Sequence, residues 1–408
     1  MIGRSDAEQY ALTMKETARL AWMALALTPE MGPTRIARAM ARLGADGGEG
    51  AERLFEASLT ELEGLGMPAR AAQYVADGRA RAAAENEAKR IAEAGGIFLT
   101  REEAAYPERL LEIYDPPAVL WVRGDVALLA RPGIAVVGTR QPTPYGVGMA
   151  EMLSRDLAHR RMTILSGMAR GVDSAAHKGA LDAGGKTVAV WGTGIDVVYP
   201  KENKKLAERI VENGGAVVSE YPLGTFPAPQ NFPIRNRILS GMSVGVLVIE
   251  AGEYSGTRIT ARCAMEQNRD VYAVPGNVTS KGAWGPNTLI KQGAKLTATW
   301  EDVWEDLPSQ VRLQLEQEME DAGQVESKAA GSASLFSEGG AEDGAKPMPE
   351  AERIVLERLR RDEATQLDEL IDGLEARLGS PEIFAALFEL ELAGRVKQMP
   401  GKNYVRCF

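Results

Sequence analysis

Histidine and cysteine are scarce in this chain: 408 residues contain two of each, His159, His177, Cys263 and Cys407. Two distant thiols with no histidine at ligand spacing exclude a disulfide framework and a zinc site. They also point to a reducing compartment. Long apolar runs are missing as well. Nothing approaches the roughly 20 apolar residues of a membrane span, and the first twenty residues lack the apolar core of a secretory signal. The run VGVLVIEAG (244–252) is long enough only for a buried strand. A soluble cytoplasmic protein without a membrane partner is expected. Two phosphate-binding signatures are absent too. No G-x-x-x-x-G-K-[ST] occurs, and in AVVGTRQPTPYG (135–146) Arg140 stands where G-x-G-x-x-G needs its second glycine. A nicotinamide or ATP enzyme is therefore not expected, and no cofactor or metal is predicted.

What is present is an uneven charge. The net charge of −10 argues against a polyanionic partner until it is divided along the chain. Residues 1–130 carry −5, residues 131–300 carry +7, residues 301–350 carry −10 and residues 351–408 carry −2. One basic block lies between acidic flanks. Its bland reading is a surface coated by long lysine and arginine side chains.

The chain divides by pattern into four parts. Residues 1–94 read as short helices joined by glycine turns. LALTPEMGPTRIARAMARLG (25–44) and LTELEGLGMPARAAQYV (59–75) resemble helix-hairpin-helix units, whose turn amides can hold a phosphate; a plain helical bundle is the alternative. Over 95–307, β-branched runs such as GIAVVG, MTILSG, TVAVWG, GAVVSE, VGVLVIE and VYAVPG alternate with helical stretches. That alternation predicts an α/β domain with a doubly wound, Rossmann-like parallel sheet. Residues 308–350, acidic and rich in Gly, Ser and Ala, predict a flexible linker. Residues 351–408 predict three helices, with Thr365 and Ser380 as N-caps, and a hairpin turning at Pro400-Gly401. Three helices and a β-wing make a winged helix.

Nearly every strand of the central domain ends in glycine followed by small polar or basic residues. The turns are VGTR (137–140), SGMARGVD (166–173), WGTGIDVVYPK (191–201), SEYPLG (219–224), EAGEYSGT (250–257) and VPGN (274–277). In a doubly wound sheet these turns share one rim, so they predict a long trough lined by amide N–H groups, hydroxyls and cations. The expected binding set is Gly138, Thr139, Arg140, Ser166, Gly167, Arg170, Gly171, Lys201, Arg235, Asn236, Arg237, Ser255 and Gly256. Cations at intervals suit a strand of phosphates better than one mononucleotide. Tyr199, Tyr221, Phe226 and Phe232 lie among them; they are either stacking platforms for bases or core packing.

Catalytic groupings are thin. Asp173 and His177 are four apart, so they share a helix face. With Ser166 they could be drawn as a triad, but the small residues around them favour a structural polar pair. Glu220 and Glu250 end strands without forming an acid/base couple.

The stretches VVGTR, SGMARGVDSAAHKGAL, GGKTVAVWGTGIDVVYPKEN, SEYPLG, NFPIRNRILSG, VIEAGEYSGTRITA and RDVYAVPGN…GPNTLIKQGA closely resemble the DNA-processing protein A family (DprA, also called Smf) over about residues 95–300. The resemblance implies an extended Rossmann fold and a cytoplasmic dimer that binds single-stranded DNA. It also implies protection of incoming DNA in natural transformation, loading of the RecA recombinase, and no chemistry on the strand. The family's DNA-contacting arginine and lysine map onto Arg140 and Lys201, its loop glycines and hydroxyls onto Gly138, Thr139, Ser166 and Gly167, and Arg170 is an added cation. Gly138-Thr139-Arg140 is one residue shorter than the family's G-[ST]-x-R turn.

Two other readings compete. The same fold resembles nucleoside-monophosphate phosphoribohydrolases, but their G-G-x-G-T-x-x-E loop has no counterpart in YSGTRITARCAMEQ, where no glutamate follows Thr257 by three. A protein-interaction adaptor organised by the end domains predicts that residues 95–305 alone bind no DNA.

Overall fold

Each glycine-ended apolar run forms a strand. The computed structural model describes residues 16–44, 48–253, 255–333, 349–359, 364–374, 377–393, 395–399 and 401–406. Its main sheet contains β1 (Ile97–Thr100), β2 (Val119–Gly124), β3 (Gly133–Val137), β4 (Thr163–Ser166), β5 (Thr187–Trp191), β6 (Ala216–Ser219), β7 (Gly245–Val248), β8 (Asp270–Ala273) and β9 (Lys295–Leu296), in the order β1-β2-β6-β5-β4-β3-β7-β8-β9. From β6 to β9 every pair is parallel, while β2 runs antiparallel to both β6 and β1. The chain steps outward from β3 through β4 and β5 to β6, then returns to the other side of β3 as β7. That reversal is the switch point at which such sheets bind ligands.

The strands are apolar throughout because both faces are covered. Ile134, Val136 and Ile164 pack against the helices Pro144–His159 and Val172–Asp182. On the opposite face Ala135, Val137, Val246 and Val248 meet the helices Asn231–Met242 and Thr257–Glu266. The two-residue alternation along β3 thus feeds two cores.

The N-terminal helices include the two glycine-turn pairs that the sequence predicts. Glu16–Leu27 leads to Pro33–Leu43 through an extended Gly32, with Pro33 in the first turn, where a missing N–H costs nothing. Leu59–Gly64 is opened by a Ser58–Glu61 capping box and precedes Ala69–Ala76. These helices are not packed as a separate body. Trp22, Leu54, Val75 and Ile91 share one core with Trp121, Trp191 and Val217 of the sheet. Buried Glu87, on the helix Arg79–Glu93, accepts hydrogen bonds from Trp121 Nε1 at 3.0 Å and the Leu223 amide at 2.7 Å. Buried Arg19 donates to the Phe98 carbonyl at 2.9 Å and pairs with Glu103 at 3.3 Å. The expected boundary at 94/95 is therefore crossed by packing.

The expected linker begins as a helix, Ser309–Ala333, whose Val311 and Leu315 are buried beside Val303 and Leu307. Apolar residues four apart anchor this acidic segment; residues 334–348 lie outside the described residues.

At the C-terminus, helices Glu350–Arg358, Leu367–Leu374 and Ser380–Leu392 precede the β11 (Val396–Met399) and β12 (Asn403–Arg406) hairpin. A short β10 (Thr365–Gln366) completes the sheet in the order β10-β12-β11, a winged helix. The expected caps are corrected. Thr365 lies in β10, and Gly379 caps the last helix, its amide held by Glu382 at 2.9 Å. Cys407 and Pro400 lie outside the described residues. Among the described residues no helix is long and apolar enough to cross a membrane.

Candidate nucleic-acid interface

A cleft of about 980 Å³ opens at the carboxyl rim of the sheet, over the β3/β7 switch point. It draws residues from several of the predicted turns. Gly138, Thr139 and Arg140 come from the turn after β3, and Asp173 from the first turn of the helix after β4. Tyr199 follows β5, while Phe232, Arg235 and Asn236 open the helix after β6. Ser255, Gly256 and Thr257 follow β7, and Lys281 and Trp284 follow β8. The sequence thus brings one rim together from segments more than a hundred residues apart.

Several amides of these turns are already taken by the chain's own acceptors, and this narrows the picture of a backbone-lined trough. Buried Asp173 takes the amides of Gly167 at 3.1 Å and Ala169 at 3.2 Å. Buried Glu250 sits at the N-terminus of the helix Pro144–His159 and accepts the Thr143 amide at 2.9 Å and the Thr143 hydroxyl at 2.5 Å. A Cβ at Gly146 would overlap that carboxylate. In a dinucleotide-binding unit this helix end receives the pyrophosphate; here the chain's own carboxylate occupies it. Asp196 holds the Gly224 amide at 2.9 Å, and Asn287 holds the Gly276 amide at 3.2 Å. At these positions anion binding falls to side chains.

Arg140 is exposed at the cleft and pairs with no carboxylate among the described residues. Gly171 makes room for its turn: with φ at +75°, a side chain there would strike the Thr139 carbonyl and Pro142. Thr139 is fully engaged, its amide on the Glu250 carbonyl at 2.7 Å and its hydroxyl accepting the Gln141 amide at 3.2 Å. Arg170 lines a side recess with Arg140, Gly167, Tyr199, Phe232 and Arg235, and its guanidinium is paired with Glu202. Lys201 is exposed on the turn beside that recess without lining it. Gly256 has open space around it and caps the helix Thr257–Glu266, and the Ser255 hydroxyl before it accepts the Thr257 amide at 3.2 Å. Asn236 lines the cleft, half-buried.

Other expected binding residues are used elsewhere. Ser166 is fully buried and donates to the Val136 carbonyl at 2.6 Å. Arg235, 5% exposed, donates to the carbonyls of Gly167 at 2.9 Å and of Val190, beside Asp173. Burial lowers its pKa to about 10, against the pull of Asp173. It braces the cleft floor. Arg237 leaves the cleft altogether and is enclosed by Glu220 and by Asp115 at 3.1 Å. Burial first, with Asp115 adding to it, pushes Glu220 up to about 7 in spite of Arg237. The expected Asp173–His177 pair does not form. His177 is fully buried and meets the Thr187 hydroxyl at 2.7 Å, and burial then the Arg235 charge drive its pKa down to about 3. Of the two, it is Asp173 that ties helix to loop.

The aromatics divide. Tyr199 and Phe232 face each other across 5.3 Å between centroids and both line the cleft. Tyr221 is half-buried, its hydroxyl 3.4 Å from the Asn231 carbonyl, and Phe226 is exposed away from the cleft lining. Sequence reasoning missed Lys281 and Trp284. The signal was there in SKGAWGPN (280–287), a basic and an aromatic residue directly after the last glycine-ended strand.

Comparison with known proteins follows the same outline. Residues 97–308 match the family model for DNA recombination-mediator protein A, and residues 340–402 match the DprA winged helix domain. The chain is 40% identical over 301 residues to Protein Smf of Escherichia coli (strain K12), covering 74% of this chain and 75% of that protein. The chain belongs to the DprA/Smf family. Among other DprA proteins, that of Bacillus subtilis (strain 168) is 44% identical over 204 residues, 50% of this chain and 68% of its own. The X-ray structure of DprA from Streptococcus pneumoniae superposes with a TM-score of 0.62 at 32% identity, covering 72% of this chain and 99% of that one. The Rossmann-like sheet and the winged helix are thus DprA features, and the family places the chain in DNA processing for recombination.

Proposed function

We propose that this DprA-family protein is a single-stranded DNA-binding protein that holds the strand across the rim cleft, without sequence preference and without cleaving it. The observation that carries the reading is Arg140, an exposed cation with no ion-pair partner among the described residues, at the switch point beside the Tyr199–Phe232 pair. Cations interleaved with aromatic faces suit unpaired bases, because only an unpaired base offers its π-face for stacking. Asp173, the buried acid of the cleft, is occupied with backbone amides, which favours binding over chemistry there. The family's recombination role extends the reading to a cytoplasmic dimer that protects the strand and passes it to RecA in transformation.

The test is a mobility-shift titration of full-length protein with single- and double-stranded oligonucleotides, alongside Arg140→Glu. Single strands should bind preferentially, and log K against log[salt] should fall with a slope of about −0.7 per phosphate neutralised. Equal affinity for both forms, or a flat salt response, refutes the reading.

A further inference from the structure

The cleft extends past the switch point to an end that the binding set above does not use. Trp284 lines it there, 38% exposed, as the first residue of the helix Trp284–Lys291 that follows the turn after β8. The turn is clamped to the end of β7. The Ala251 amide donates to the Gly282 carbonyl and the Gly285 amide to the Ala251 carbonyl, each at 2.8 Å. Gly285 lies so close to Ala251 that any Cβ would collide with its backbone. The indole therefore starts from a fixed backbone rather than from a loose loop.

Two cations flank it. The Arg258 guanidinium stands 5.3 Å from the indole centroid and is anchored by a 2.8 Å hydrogen bond to the Glu253 carbonyl. Lys281 lines the cleft three residues before the tryptophan and is exposed. Among the described residues neither cation has a carboxylate partner, unlike Arg170 with Glu202 or Arg237 with Glu220. A half-exposed indole beside two unneutralised cations repeats the chemistry of the Tyr199–Phe232–Arg140 end on the far side of the switch point. Core packing does not account for it, since a packing tryptophan would be covered and a solvated arginine would not be pinned beside it.

We infer that Trp284, with Arg258 and Lys281, is a second base-stacking platform, so that one DNA strand crosses the switch point and is gripped at both ends of the cleft. The inference rests on the single-strand reading above.

Full-length protein is titrated by fluorescence anisotropy with labelled oligothymidylates of increasing length, as wild type, Trp284→Ala, Trp284→Phe and Arg140→Glu. Short oligomers held at the Arg140 end should bind wild type and Trp284→Ala alike. Oligomers long enough to span the cleft should bind Trp284→Ala about tenfold or more weakly, and Trp284→Phe should restore most of the loss, because phenylalanine keeps a stacking face. Wild-type affinity of Trp284→Ala at every length overturns the inference. So does an equal loss at every length, or no recovery with phenylalanine. If Arg140→Glu alone weakens binding, the single-strand reading stands and the second platform falls; if neither substitution weakens it, the reading itself fails.

Discussion

Arg140 and Arg237 both stand near strand ends of one sheet, yet they occupy opposite electrostatic situations. Arg140 faces solvent in the cleft and forms no ion pair among the described residues. Arg237 is 11% exposed and held between Glu220 and Asp115. The first charge is available to a ligand; the second is already spent on the fold. Counting basic residues along a chain cannot separate the two, because the partner that neutralises a cation comes from a distant segment.

The contrast can be broken most forcefully at Arg237. Replacing it with alanine strips the mostly buried Glu220 and the partly exposed Asp115 of their cation, and should cost about 2–3 kcal/mol of folding stability, read by denaturant melts. Arg140→Ala should leave the same melts unchanged. Arg140→Glu should weaken single-strand binding by more than the roughly 1–3 kcal/mol of one stacked base, by anisotropy titration. A destabilised Arg140 variant, or an unharmed Arg237 variant, would erase the distinction.

The carboxylates sharpen it. Glu250→Ala removes the acceptor of the Thr143 amide and hydroxyl and should destabilise by about 1–3 kcal/mol, read by the same melts. Glu220 and His177 should oppose each other in pH dependence. The fold favours neutral Glu220, so its contribution is complete below about 4.5 and is lost as pH rises to about 7. The fold also favours neutral His177, whose contribution is complete above about 6.5 and is lost as pH falls toward about 3. Between 4.5 and 6.5 the two slopes compensate. Glu220→Gln should unmask a rise in Tm with pH across that window, a slope of at most about 1.4 kcal/mol per unit; a flat profile in the variant would contradict the assignment. The smallest effect belongs to Glu253, the exposed acid lining the cleft. Glu253→Gln should tighten single-strand binding by about twofold to fivefold.

Much of the fold was legible because its signals are local. The strands β3 to β8 announce themselves by β-branched runs ending in glycine, and Gly32-Pro33 marks a helix start. Short β9, two residues long, has no run to read. The sharing of one core by Trp22 and Trp191 was hidden, because periodicity shows that a face is buried but not against what. The helix Ser309–Ala333 was obscured by acidic composition, although Val311 and Leu315 are spaced for one buried face. At the site, the rim and Arg140 were readable from the turns. The diversion of Arg237 was partly readable: two residues apart on a helix means about 200° of rotation, so Arg235 and Arg237 could not both look into one cleft. The occupation of the amides was not, since it needs Glu250 and Thr143 side by side, 107 residues apart.

That carboxylate has a consequence for traffic in the cell. A Rossmann sheet with a vacant helix end is a standing invitation to every free nucleotide, and such small anions would crowd out a polymer that visits rarely. If the single-strand reading holds, Glu250 seated at that end should turn the monomers away and leave the entrance to the polymer. Adding an excess of nucleoside triphosphate to the bound oligonucleotide should release little of it, and ready displacement would show the seat to be open after all.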